Sequence, residues 1–146
     1  MGVCMWALLS FRGRTSRLAY WRIWLACNLV GAVFVVLALF ALQGVGALGA
    51  ILFAPAILFA VAAFAAWVRR LHDRGKGIWW AILFAVAPFV TGSMAEYLSD
   101  QNTTASLAES LPFSLAALAL SIWAIVEVGF RRGQLGTNRF GDPPAA

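Results

Sequence analysis

Four stretches of this chain are so long and so apolar that only a lipid solvent suits them. They cover roughly 19–42, 45–68, 78–95 and 111–130. A helix needs about 20 predominantly apolar residues to cross a hydrocarbon core about 30 Å thick. Backbone amides find no water inside that core, so each stretch must satisfy its own hydrogen bonds as an α-helix. The chain as a whole is 62% hydrophobic and 12% charged, against roughly 25% charged in soluble domains. A water-soluble body of 146 residues has too little polar surface to cover that much apolar area. The expectation is an all-α membrane protein: one membrane domain, 1–146, with four transmembrane helices. A short N-terminal interfacial segment precedes them and a turn-rich basic tail follows.

Charge sets the orientation. All eleven Lys and Arg residues lie in three places: the N-terminal flank, with Arg22 just inside the first span, the segment after the second span, and the tail. The two opposite connections, Gln43-Gly44 and 96–110, contain none. The positive-inside rule then assigns 1–18, 69–77 and 131–146 to the cytoplasm, with both termini there. Trp6, Trp21, Trp24, Trp67, Trp79 and Trp80 fall at or near the same boundary, where aromatic rings favour headgroup depth. The net charge of +5 sits beside apolar runs rather than on a soluble basic face, which argues for anionic lipid headgroups and against nucleic acid.

Smaller features follow from the same frame. Residues 1–11 are apolar but too short to span and read as an in-plane segment. The basic stretch follows the first apolar residues instead of preceding them, so no signal cleavage is expected. Thr15 or Ser16 is placed to cap the first span. Asn28, the amide within it, is expected to bond a neighbouring helix. Gly46, Ala50 and Ala54 recur at four-residue spacing, a small-residue stripe that lets another helix approach. Pro55 and Pro88 predict bends in the second and third spans, and Ser110-Leu111-Pro112 reads as the start of the fourth. Cys4 and Cys27 form neither a disulfide pattern nor a metal-ligand spacing.

The segment Arg69 to Trp80 is the most distinctive. It is basic, holds the single histidine, and joins two apolar runs. His72 and Asp73 fall short of the three or more protein ligands that a catalytic metal needs. No nucleophile elbow accompanies His72, and Gly75-Lys76-Gly77 lacks the remaining elements of a phosphate loop. No catalytic, cofactor-binding or metal residue is assigned, and no cofactor is expected. Two readings stay open for the segment: a helical hairpin pinned at the interface, or a phosphate-bearing ligand held by Arg69, Arg70, Arg74 and Lys76. Glu127 is the other outlier, an ionisable group inside a span, where such groups are costly. It is expected to pair, either with Arg131 at i,i+4 or with Arg22 or Arg17 across helices.

Three ordered motifs carry a resemblance. They are Phe11-Arg12-Gly13-Arg14-Thr15-Ser16-Arg17 with Tyr20-Trp21, then Arg70-Leu71-His72-Asp73 with Gly75 and Trp79-Trp80, then Gly136-Thr137-Asn138-Arg139-Phe140-Gly141-Asp142-Pro143. From residue 11 to residue 143 the chain resembles the domain-of-unknown-function 805 family of small bacterial inner-membrane proteins. One departure is that Gly77 and Ile78 stand where that pattern has a small residue and a glycine. The resemblance implies a multi-pass inner-membrane protein and supplies no assigned activity. By the charge count all three motifs belong to one face, and we expect them to meet there, with Asp142 or Asp73 pairing with nearby arginines. The candidate cluster is Arg12, Arg14, Arg17, Arg69, Arg70, His72, Asp73, Arg74, Lys76, Asn138, Arg139 and Asp142, with Glu127 as an intramembrane charge. The functional expectation is a non-enzymatic protein whose basic face binds anionic lipid or a partner protein. The alternative is a small transporter or channel subunit acting as an oligomer, so a homo-oligomer or a membrane-protein partner also stays open.

Overall fold

The computed structural model describes residues 8–44, 46–100 and 103–144. Its helices are α1 (Arg17–Gly44), α2 (Gly46–Asp73), α3 (Ile78–Ser99) and α4 (Thr104–Ile125), the last continuing as a π-helical turn, Val126–Phe130. The four helices, with Thr104–Phe130 taken as one, run to 28, 28, 22 and 27 residues. At 1.5 Å per residue they measure about 33–42 Å, enough to cross a bilayer. The chain is a multi-pass helical membrane protein. The segment 1–7, and most of the expected interfacial stretch with it, lies outside the described residues.

Two helices differ from expectation. α2 does not end with its apolar run but continues for one more charged turn, so Arg69, Arg70, His72 and Asp73 are helical. Their polarity suggested a loop. Asp73, however, accepts an ion pair from Arg70 one turn earlier, and both side chains are buried. The helix stops at Gly75, whose left-handed φ of +72° suits a residue without Cβ. α4 starts earlier than expected: Thr103 caps it, accepting from the Ser106 amide while the Ser106 hydroxyl accepts from the Thr103 amide. This reciprocal box satisfies two amides that would otherwise lack partners. It leaves Pro112 inside the helix rather than in its first turn.

The described residues form two compact units. α1 and α2 pack together in one, which also holds the tail from Gly133, and α3, α4 and the π-helical turn form the other, Lys76–Arg132. In lipid there is little hydrophobic force between helices, so small residues that admit close packing decide the contact. Gly31 is such a place, since a Cβ there would lie 3.5 Å from Phe59 Cβ. Cys27, Ala62 and Ala63 form the core beside it, flanked by Leu8, Leu9, Ile23, Trp24 and Phe59. The expected stripe of Gly46, Ala50 and Ala54 is exposed, and α2 buries Ala56, Ala62, Ala63, Ala65 and Ala66 instead. Asn28 donates to Trp24 O of its own helix at 2.8 Å, not to a neighbour. Ser16 does act as the expected cap, accepting from the Ala19 amide at 3.3 Å. In the second unit Phe84 is buried edge-on to Trp123, with ring centroids 5.1 Å apart.

Candidate functional site

Asp73, on the last turn of α2, is the centre of a closed knot. Arg14 Nε donates to its Oδ1 at 3.0 Å, Arg14 Nη2 lies 2.9 Å from the same oxygen, and Arg70 Nη1 donates to its Oδ2. The Arg14, Arg70 and Asp73 side chains are 0%, 1% and 4% exposed. Buried ions on this scale are tolerable only when their remaining donors and acceptors are satisfied. The tail supplies what is missing. Arg14 Nη1 donates to the Gly136 and Gly141 carbonyls at 2.6 and 3.2 Å, and Nη2 donates to the Gln134 carbonyl. The planar fork of one guanidinium thus ties a carboxylate on α2 to three carbonyls of the tail.

The tail is shaped to reach it. The Gln134 amide donates to Asp73 O at 2.9 Å. Asn138 and Gly141 exchange backbone bonds at 3.1 and 2.9 Å, and Gly141 takes a left-handed φ of +119°. The Asn138 side chain bridges further, donating to His72 O at 3.0 Å and to Gln134 Oε1 at 2.8 Å while accepting from the Phe140 amide at 2.9 Å. Phe140 lies flat on the His72 ring, centroids 3.9 Å apart. On the His72 ring's edge, Nδ1 is 3.2 Å from the Gly13 carbonyl. Gly13 itself is left-handed, φ +86°. Gly133 abuts the carboxylate so closely that a Cβ would overlap the Asp73 oxygens.

The three motif segments therefore meet at Asp73. Asp142 takes no arginine in the contacts described here; it accepts from the Thr137 hydroxyl at 2.8 Å. Arg139 donates to Gly75 O at 3.3 Å and covers the Phe140 ring. Arg69 is half-buried, bonded to Ala65 O and Leu8 O. Arg74 sits on the turn closed by its amide to Leu71 O. Arg12 and Arg17 are exposed. Lys76 belongs to the other unit.

In that unit Glu127 makes a second triad. Its side chain is fully buried, with Lys76 Nζ 2.9 Å from Oε1 and Arg131 Nη1 2.7 Å from Oε2. The i,i+4 partner is thus Arg131, one of the two pairings the sequence offered, and Lys76 joins it. Lys76 Nζ also stands 3.9 Å above the Trp80 ring. The π-helical turn explains the depth of the carboxylate. Its wide turn, closed by the Arg131 amide to Val126 O at 3.1 Å, buries the consecutive residues Glu127, Val128 and Gly129.

Sequence reasoning missed Gly133, Gln134 and the π-helical turn. The first two lie in a Gly- and Asn-rich tail that reads as turns, and nothing in residues 126–130 distinguishes a π-turn from ordinary helix. Chemically, the Asp73 carboxylate is engaged on both oxygens by Arg14 and Arg70. Among the described residues no three His, Cys, Asp or Glu side chains gather to hold a metal ion.

No curated protein and no solved structure matches this chain. A family model does, over residues 8–142, which takes in the three converging segments together with both triads, and its description is "Protein of unknown function (DUF805)". The chain belongs to that family.

Proposed function

We propose that this protein is a non-catalytic component of a bacterial inner membrane, with both termini cytoplasmic, that holds anionic lipid headgroups along its cytoplasmic boundary. One observation carries the reading: ten of the eleven Lys and Arg residues lie in the three segments assigned to one side, Arg22 lies near the same end of the first span, and none lies in the two opposite connections. Each such cation near an anionic leaflet contributes about 1 kcal/mol of attraction. Arg14 and Arg70 are committed to Asp73, so the reading relies on cations at the rim. Arg12, Arg22, Arg131 and Arg139 are exposed. Trp79, 78% exposed at the start of α3, suits headgroup depth.

The test is to purify the full chain in mild detergent from native membranes and identify the retained lipid. Anionic phospholipid enriched over its bulk share, and falling as salt rises, is the expected result. Solute flux in proteoliposomes that stops with Glu127→Gln would replace this reading with transport. Turnover of a lipid lost in His72→Ala would replace it with an enzyme.

A further inference from the structure

Of the two triads, the one at Glu127 has the geometry of a ligand site. Beside the start of α3 and the end of the π-helical turn, Lys76 and Arg131 converge on one carboxylate, Glu127. Both cations are already positioned. Glu127, with no exposure of its own, grips Lys76 on one oxygen and Arg131 on the other, and the Trp80 ring fixes Lys76 from a second direction. Their side chains still reach outward, 22% exposed for Lys76 and 57% for Arg131. Groups held in place before binding lose little freedom on binding, so more of their attraction appears as affinity. Exposed Trp79 and Phe130 flank the triad and suit the apolar side of a headgroup layer.

We infer that Lys76 and Arg131, braced by Glu127, form a binding site for a phosphate group at headgroup depth. This rests on the anionic-lipid reading above and narrows it to one site. Arginine takes phosphate oxygens through its planar fork and lysine as a point charge, so the pair recognises a phosphate mono- or diester rather than a neutral headgroup.

The test is native mass spectrometry of the full chain released from nanodiscs of mixed phosphatidylglycerol and phosphatidylcholine. The wild-type chain is expected to retain phosphatidylglycerol selectively. Lys76→Gln and Arg131→Gln are each expected to weaken retention about ten-fold, the loss of one charge-assisted hydrogen bond. Lys76→Arg is expected to restore it, and helical content by circular dichroism checks that each variant is folded. Inorganic phosphate decides the source: binding that it displaces assigns the site to a free phosphate, and binding indifferent to it assigns the site to the lipid. Retention unchanged in both Gln variants but reduced in Arg12→Gln and Arg22→Gln would overturn this site and leave the wider reading standing. No preference for phosphatidylglycerol in the wild-type chain, and no response to phosphate, would overturn both.

Discussion

Around Asp73 the cations are buried as deeply as the carboxylate, and the tail's carbonyls take up the Arg14 donors. Around Glu127 the carboxylate is fully buried while its cations keep some exposure, 22% for Lys76 and 57% for Arg131. Each is one carboxylate gripped by two cations. What separates them is where the surrounding donors and acceptors end. A charge cluster closed on all sides is a fastener, whose removal is felt by the fold. A cluster buried at its base and open at its rim can change partners without unfolding, so its removal is felt by whatever binds there.

The contrast can be broken by substitution. Asp73→Ala should have the largest effect, since it leaves Arg14 and Arg70 buried without their carboxylate. The expected loss is about 3–5 kcal/mol, read as a lower unfolding temperature in detergent and faster proteolysis of the tail after Gly133. Gly133→Ala should follow at about 1–3 kcal/mol, the range for overpacking. The Asp73 oxygens it would strike are held by two arginines and cannot step aside. If it proved as stable as the parent, the close approach of tail and carboxylate would be wrong. Glu127→Gln should cost less than Asp73→Ala, about 1–3 kcal/mol, because the amide it leaves is buried with its bonds incomplete while its former partners, partly exposed, can turn to water. A loss equal to that of Asp73→Ala would erase the distinction drawn above. Phe140→Ala should cost less, about 0.5–1.5 kcal/mol from the lost stack on His72, and should loosen only the tail. Arg12→Gln, at an exposed position, should leave stability within about 0.5 kcal/mol.

Much of the frame was legible in the residues because lipid leaves few choices. The four apolar runs had to be helices, and Glu127 with Arg131 at i,i+4 had to be neighbours. What was not legible depended on neutralisation at a distance. The turn Arg69 to Asp73 reads as loop by its charge, but Arg14 and the tail carbonyls, far along the chain, make it cheap to bury as helix. The same applies to Lys76, which reaches Glu127 only because α3 and α4 pack side by side. The start of α4 was misread for a local reason: Pro112 announces a first turn more loudly than Thr103 and Ser106, yet those two satisfy the amides there. The π-turn follows from packing that no residue pattern in 126–130 encodes.

The knot also imposes an order on biogenesis. Arg14 leaves the ribosome before Asp73, and the carbonyls of Gln134, Gly136 and Gly141 that complete the Arg14 shell follow only after all four helices. Until they emerge, the first helical pair must wait at the water boundary with its guanidinium hydrated. Closure of the tail is then open only to a chain whose third and fourth helices have already been synthesised.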